Sequence, residues 1–245
     1  MQRTLLTEGV DITYLKQDEW HRTSTVLVDL NDQGERSFTF MVRPSADLFL
    51  ETTDLPCWRH GEWLHLCSIA LSAEPSRTSA FTAMTAIRHA GGFVSFDPNI
   101  REDLWQDEHL LRLCLRQALQ LADVVKLSEE EWRLISGKTQ NDRDICALAK
   151  EYEIAMLLVT KGAEGVVVCY RGQVHHFAGM SVNCVDSTGA GDAFVAGLLT
   201  GLSSTGLSTD EREMRQIIDL AQRCGALAVT AKGAMTALPC QQELE

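Results

Sequence analysis

The chain has 245 residues, of which 45% are hydrophobic and 23% are charged, and its formal net charge is −12. This length and balance are typical of a single folded domain with a substantial core and argue against disorder. An acidic chain lacks the basic face that nucleic acid or an anionic membrane surface requires. The chain also has no apolar run of the ~20 residues that span a bilayer. We therefore expect it to bind neither nucleic acid nor a membrane.

The first strand pattern in chain order covers residues 24–30 and 36–42, around the turn signal Asn31-Asp32-Gln33-Gly34. This arrangement predicts a β-hairpin. Polar and apolar residues alternate within 37–41, so the hairpin should present one apolar face. That face either packs on a core or covers a cleft as a lid, and alternation alone does not decide between the two.

From residue 63 onward, short apolar runs alternate with longer helical patterns. We predict strands at 63–67, 93–97, 123–127, 155–160, 166–170 and 173–177. We predict helices at 75–89, 107–121, 129–135, 142–152, 190–202 and 210–230. This rhythm indicates one α/β domain, in which helices cover both faces of a mostly parallel sheet.

The most informative segment lies before the predicted helix at 190–202. Its small residues Gly189, Ala190 and Gly191 are expected to open that helix, where free backbone N–H groups can bind developing negative charge. Asp192 then lies in the first turn and can accept the proton of an attacking hydroxyl, which is the proton transfer that phosphoryl transfer needs. The alternative is that Asp192 only complements the helix dipole.

Residues 186–197, Asp-Ser-Thr-Gly-Ala-Gly-Asp-Ala-Phe-Val-Ala-Gly, resemble the second signature of the ribokinase, or PfkB, family of carbohydrate kinases. The resemblance implies a ribokinase-like fold and transfer of a phosphoryl group from ATP, with Mg2+, to a sugar hydroxyl. It also implies that Asp192 is the catalytic base. Gly189, Ala190 and Gly191 would supply the anion hole for the transferred phosphoryl.

Two further segments resemble family elements on the sugar and metal side. Residues 97–101, Asp-Pro-Asn-Ile-Arg, resemble a family segment at the carboxyl end of a central strand. The resemblance implies that Asp97, Asn99 and Arg101 bind the sugar together with Asp192. Without the resemblance, the segment is typical of a proline-fixed turn. Residues 126–131, Lys-Leu-Ser-Glu-Glu-Glu, resemble an Asn-x-x-Glu element that positions phosphate and magnesium. The implied roles are nucleotide binding for Lys126 and Ser128, and Mg2+ positioning through water for Glu131. Ser128 replaces the family's Asn, and locally 129–131 read as an acidic first turn after an N-cap Ser.

The remaining resemblances concern the nucleotide. Residues 160–165, Thr-Lys-Gly-Ala-Glu-Gly, resemble a turn against the nucleotide phosphates, which assigns Thr160, Gly162 and Gly165 to the nucleotide; as a bare pattern the segment is only a strand connection. Residues 225–234 resemble the helix and loop that border adenine, beginning at Gly225. In the family, this loop and the region of Asp186 and Thr188 also hold a monovalent cation, usually potassium.

Residues 64–72 and 96–105 resemble bacterial fructokinases, which implies fructose as the acceptor; ribose, 2-keto-3-deoxygluconate and a nucleoside stay open. The resemblance covers 1–245 as one kinase domain with a lid hairpin at about 23–42, through which it also implies a homodimer. It begins part-way into the family pattern, without the opening strand and the early Gly-Gly and Asn segment that grips the sugar. A non-catalytic nucleotide-binding remnant is therefore the alternative, and we expect this chain alone to be poorly stable and close to inactive.

Other features argue against different classes. Eight cysteines without a Cys-x-x-Cys pair or a secretory leader indicate reduced thiols and predict a soluble, cytoplasmic protein. The segment 136–139, Ser-Gly-Lys-Thr, is not a P-loop, because Trp132 stands where that motif needs Gly, and Gly137 is better read as a helix stop. His175 and His176 point to opposite faces of a predicted strand, which excludes one shared zinc site.

Overall fold

The structure is a computed structural model that describes residues 2–30, 36–41, 44–207 and 210–244. Strands β1 (Val26–Leu30) and β2 (Arg36–Phe40) form a separate antiparallel sheet, in which Val26 pairs with Phe40. This sheet confirms the predicted hairpin strands. The turn signal at 31–34 lies outside the described residues.

The main sheet has six strands in the order β3–β4–β5–β6–β7–β8, which is also their order along the chain. Their bounds are β3 Trp63–Leu66, β4 Phe93–Phe96, β5 Val124–Ser128, β6 Met156–Thr160, β7 Gly165–Tyr170 and β8 Gln173–Ala178. Strands β3 to β6 are parallel, whereas β7 and β8 are antiparallel to their neighbours. The turn at 161–164 is too short for a crossover connection, so β7 must return beside β6 in the opposite direction.

Eight α-helices lie within the described part of the chain, and their main members match the predicted ones within a few residues. They are α1 Gln2–Thr7, α2 Ser76–His89, α3 Glu108–Leu121, α4 Glu129–Ser136, α5 Asp142–Glu151, α6 Ala190–Thr205, α7 Glu211–Ala228 and α8 Gln241–Leu244. Side-chain caps fix several starts, as where Ser128 accepts from the N–H of Glu131. Gly137 ends α4 in a left-handed conformation with φ 67°, which confirms its reading as a helix stop.

The core has two layers because alternate residues of each strand point to opposite faces. On one face, Val125 and Leu127 pack with residues of α2 to α5, including the fully buried Trp132. On the other face, Val124 and its neighbours pack against α6 and α7. Each fully buried large apolar side chain contributes about 1.5–3 kcal/mol, so the two layers hold the helices firmly on both faces, as the sequence predicted.

One edge of the main sheet is where a ligand site is expected. The carboxyl ends of β4, β5 and β6 meet there, β7 begins there, and parallel α/β sheets bind ligands at such an edge. Among the helices of the described residues, none is long and apolar enough to cross a membrane.

Candidate functional site

Two cavities at the carboxyl edge of the sheet meet at the start of α6. The first has a volume of about 690 Å³ and is lined by most of the residues predicted for the sugar and metal, namely Asp97, Asn99, Arg101, Glu131, Thr188 and Asp192. The second has a volume of about 320 Å³ and is lined by most of those predicted for the nucleotide, namely Thr160, Gly162, Gly165 and Gly225. Ser187 and Gly191 line both cavities. Ala190 lines the second cavity and Gly189 the first, so the predicted anion hole lies at their junction.

The start of α6 depends on a glycine. Gly189 is the N-cap and has a left-handed backbone with φ 80°. A Cβ on this residue would lie 2.9 Å from the carbonyl oxygen of Ala234, so the loop at 234 packs directly on the helix start. The first N–H groups of a helix have no i−4 partner within it, and in α6 they belong to residues that line the two cavities. The N–H of Ala190 donates to the carbonyl of Ser187 at 3.2 Å.

A buried ion pair lies beside this helix start. The ammonium of Lys126, in the middle of β5, is 3.0 Å and 3.3 Å from the two carboxylate oxygens of Asp97, which follows β4. Their side chains are only 10% and 5% exposed. A Cβ on Gly191 would lie 3.1 Å from Lys126 Nζ, so the ammonium also lies against the first turn of α6. The sequence predicted Lys126 at the nucleotide, whereas the structure places it in the lining of the first cavity, next to the junction.

The ionisation of Asp97 reflects this position. Burial raises the pKa of its carboxyl to about 6, and the nearby charges of Glu131 and Asp192 act in the same direction. The Lys126 ammonium opposes them. A buried ion pair of this kind gains little net stability over apolar side chains, so its place at a cavity points to a role in binding or chemistry.

Asp192 lies in the first turn of α6, is exposed, and lines the first cavity. Its position next to Gly191 places a carboxylate on the first-cavity side of the junction. A general base must reach the proton that it removes, and Asp192 lines the cavity in which a hydroxyl compound would bind. Asp192 is thus where the sequence placed it, in a first turn and beside the predicted anion hole.

Glu131 has a structural function of which the sequence revealed only one part. One carboxylate oxygen accepts a 2.8 Å hydrogen bond from the N–H of Ser128, in a capping box at the start of α4. The other accepts a 2.9 Å bond from the N–H of Ile100. Glu131 therefore ties the 97–101 loop to α4. The acidic first turn gave one signal for the cap, but nothing in the sequence indicated a partner 31 residues away.

Asp186 organises the loop before α6. One carboxylate oxygen accepts from the N–H and the hydroxyl of Thr188, at 2.9 and 2.6 Å, and the other accepts from the N–H of Gly233 at 2.9 Å. The N–H of Val185 also donates to the carbonyl of Val229. These bonds bring together the two loops that the family resemblance associates with a monovalent cation.

Apolar residues complete both cavities. Val26, Val28 and Phe40 of the hairpin sheet line the first cavity, so the apolar face of β1 and β2 adjoins this space. Ile69 also lines it and was missed as a site residue, although it belongs to the 64–72 segment that resembles fructokinases. The second cavity also contains apolar groups that were not named as site residues. Met180 and Val182 lie outside the segments that resemble the family, whereas Phe194 and Val229 lie within them.

Within the described residues, no group of three or more His, Cys, Asp or Glu side chains could hold a metal ion. His175 and His176 have separate acidic neighbours, Glu211 and Asp142, as their opposite directions predicted. An all-protein metal cage is therefore absent from the described residues, and a metal there would need ligands from a bound molecule or water.

A helix start between two cavities, with a carboxylate on one side and an ammonium beside it, defines a site for group transfer between two ligands. The chain belongs to the pfkB family of carbohydrate kinases, since the model described as pfkB family carbohydrate kinase matches residues 1–241. This membership confirms the resemblance found in the sequence.

Individual relatives agree with the family match. The chain is 99% identical to the fructokinase of Escherichia coli over 245 residues, which are 100% of this chain and 80% of that protein. It is 57% identical to the fructokinase of Salmonella typhimurium over 244 residues, again 100% of this chain and 80% of that protein. Among solved structures, the chain is similar to a fructokinase double mutant from Vibrio cholerae O395 with fructose, ADP and potassium ion bound. The TM-score is 0.93 and the sequence identity is 48%, over 100% of this chain and 78% of that one. The predicted ribokinase-like fold is confirmed.

Proposed function

We propose that this chain transfers the γ-phosphoryl group of ATP to a hydroxyl of fructose. The observation that carries the proposal is the junction itself, where Gly191 separates a polar cavity containing Asp192 from a second, more apolar cavity. The two relatives named above are fructokinases, and one solved relative holds fructose and ADP together. An in-line transfer needs donor and acceptor on opposite sides of one anion site, which this arrangement provides.

The residues divide into two sides. On the acceptor side, Asp192 takes the proton of the attacking hydroxyl, while Asn99 and Arg101 orient the sugar. On the donor side, the turn from Thr160 to Gly165 and the helix at Gly225 surround the nucleotide. The N–H groups at the start of α6 stabilise the charge that develops on the transferred phosphoryl.

Lys126 belongs to the junction and serves both sides. Its ammonium lies against Gly191, where it can neutralise charge on the phosphoryl group. Asp97 holds the ammonium there through two short contacts, so its role is to position Lys126 as well as to line the sugar cavity. A preorganised cation of this kind needs no rearrangement at the moment of transfer.

The charges of the first cavity favour a neutral sugar. Five carboxylates line it and only two basic side chains do so; the carboxylates are Asp97, Glu102, Glu130, Glu131 and Asp192, and the bases are Arg101 and Lys126. An acidic acceptor such as 2-keto-3-deoxygluconate would be repelled, whereas fructose carries no charge. This excess of carboxylates argues against that alternative.

Two ions fit the residues present. Mg2+ takes few protein ligands and keeps several waters, so a site bounded by Glu131 and ATP phosphates suits it, and there it would screen the phosphate charge. Both Glu131 oxygens accept backbone hydrogen bonds, which fits a contact through water. Asp186 and Thr188 would hold a monovalent cation, as the loops they join supply carboxylate, hydroxyl and carbonyl oxygens.

The hairpin sheet has a place in the same proposal. Its apolar face at Val26 and Val28 covers the acceptor cavity as a lid, which excludes water from the transferred group. Leu27, on the other face, is 55% exposed. A second copy of the chain would cover that face and form a homodimer.

The eight cysteines are all free thiols, which supports a reducing compartment such as the cytoplasm.

The decisive test is a coupled assay of ADP release with fructose, ribose, 2-keto-3-deoxygluconate and a nucleoside. We expect fructose to give the highest kcat/KM. Asp192→Asn should lower kcat by ~10²- to 10⁴-fold, because it removes the general base. Asp142→Asn is the matched control, since Asp142 is also a first-turn carboxylate but lies on α5. If the parent chain phosphorylates fructose and Asp192→Asn does so equally well, the assignment is refuted.

A second experiment tests nucleotide binding without requiring turnover. Cys184 is exposed and lines the second cavity, whereas the exposed Cys57 and Cys240 line neither. ADP should therefore slow alkylation of Cys184 and leave the other two unchanged, as read by mass spectrometry. Protection of Cys184 without any phosphoryl transfer would favour the non-catalytic nucleotide-binding remnant.

A further inference from the structure

Two cysteines from different elements lie in direct contact, away from both cavities. The Sγ atoms of Cys146, on α5, and Cys169, on β7, are 3.2 Å apart and belong to residues separated by 23 positions. Among the described residues they are the one pair of cysteines in sulfur contact. A disulfide bond brings two sulfurs to ~2.05 Å, so only a small side-chain movement separates this contact from a bond.

We propose that Cys146 and Cys169 are an oxidation site that forms an intramolecular disulfide when the protein meets a peroxide. The chemistry has two steps. The Cys146 sulfur first attacks the peroxide, the O–O bond breaks, and water leaves to give a sulfenic acid on Cys146. The Cys169 sulfur then attacks the Cys146 sulfur and loses its proton, the S–O bond breaks, and a second water leaves. Two thiols are oxidised and one peroxide is reduced to two waters.

The surroundings of the two thiols assign their order. Cys146 is partly exposed, so a dissolved peroxide reaches it, whereas Cys169 is buried. Burial, with the neighbouring Cys146, also raises the pKa of Cys169 to about 12, so Cys146 is the thiol that reacts with peroxide first. The other two buried cysteines, Cys114 and Cys224, have no recorded sulfur partner among the described residues.

The position on the sheet predicts what the bond would do. Strand β7 begins at Gly165, which lines the second cavity, and Cys169 lies four residues further on, paired with Leu157. The bond would therefore join α5 to β7 toward the edge opposite the cavities. It would restrict the unfolded chain and leave the site unchanged. A disulfide closing a loop of this size should raise Tm by roughly 5–10 °C in a domain of this length.

The test is peptide mapping of the full chain after exposure to hydrogen peroxide and alkylation of the remaining thiols. We expect a linked peptide pair containing Cys146 and Cys169, lighter than the reduced pair by two hydrogens, and its disappearance with a dithiol reductant. The increase in Tm should be lost in Cys146→Ser and kept in Cys240→Ser, the matched control at an exposed cysteine. These readouts do not depend on kinase activity, so they stand apart from the proposed function.

The opposite result is equally clear. If peroxide oxidises the exposed Cys57, Cys184 or Cys240 while Cys146 and Cys169 remain alkylatable after denaturation, the pair is not an oxidation site. A disulfide that links either residue to another cysteine would also overturn the proposal. Cys169→Ala provides a second variant in which the linked peptide must be absent.

Discussion

Replacing Lys126 by Met tests the buried ion pair and its proposed role together. Met has nearly the length of Lys but no charge, so the substitution leaves Asp97 buried beside the charges of Glu131 and Asp192 without its cation. The pKa of Asp97, already raised to about 6 by burial, should then rise further. Asp97 would remain protonated to a higher pH.

The magnitude follows from this pKa. A carboxyl that titrates at about 6 in the folded protein, against an ordinary value of 3.8, costs roughly 3 kcal/mol of stability when it is ionised, at ~1.36 kcal/mol per pKa unit. The folded state holds the proton more tightly, so this stability is present below pH 3.8 and is lost as pH rises through about 6. Breaking a buried pair typically costs ~3–5 kcal/mol. We expect Lys126→Met to lose about that much at neutral pH, and less at mildly acidic pH where Asp97 takes up a proton.

The assay measures the free energy of unfolding by reversible denaturant unfolding at neutral and at mildly acidic pH. It also measures kcat with ATP and fructose. Lys138→Met is the matched control, because Lys138 forms a 2.9 Å ion pair with Asp144 at the surface and should cost less than ~1 kcal/mol. The double variant Lys126→Met with Asp97→Asn should regain much of the stability but not the turnover, which we expect to fall by ~10²- to 10³-fold. If Lys126→Met behaves like Lys138→Met in both measurements, neither the energetics nor the role assigned to Lys126 is correct.

Two further substitutions address the loops around the site. Gly189→Ala should destabilise the protein and lower kcat, because its Cβ would lie 2.9 Å from the Ala234 carbonyl oxygen. Gly137→Ala is the matched control, because Gly137 also has a left-handed backbone, with φ 67°, but open space around it. An equal loss of stability in the two variants would show that backbone strain alone is responsible. Glu131→Gln replaces one accepting oxygen by an NH2 group and leaves a backbone N–H unpaired, which should cost ~1–3 kcal/mol and raise KM for fructose. A higher magnesium requirement in Glu131→Gln, measured by titrating Mg2+ at saturating sugar, would support its metal role, whereas an unchanged requirement would leave only the loop-holding role.

Much of the fold could be predicted because local patterns fix its elements. The apolar run at 156–160 is buried along most of its length, and Ser128 and Gly137 mark the ends of α4 through cap chemistry that depends on neighbouring residues only. The reversal at β7 was less visible. Only the shortness of the turn at 161–164 indicated it, and the pattern of β7 itself does not distinguish a parallel from an antiparallel strand.

The site was predictable as a set of motifs but not as a set of contacts. Asp97 and Lys126 belong to separate motifs, 29 residues apart, and their ion pair depends on how β4 and β5 align in the sheet. The bond from Ile100 to Glu131 has the same origin. Such contacts arise from strand register and loop packing, which no single segment of the sequence encodes. The same limit explains why the contact between Cys146 and Cys169 had no signal.

The order of the strands has a consequence for how the chain reaches this structure. Each strand from β4 to β8 lies beside the one that precedes it in the chain, so the sheet can grow one strand at a time through pairings of short sequence separation. Helices α2 to α5 arise between those strands and can cover one face as it forms, whereas α6 and α7 come after β8 and cover the other face last. Because Gly191 and Asp192 begin α6, a nascent chain acquires its anion site only in the step that closes the second half of the core.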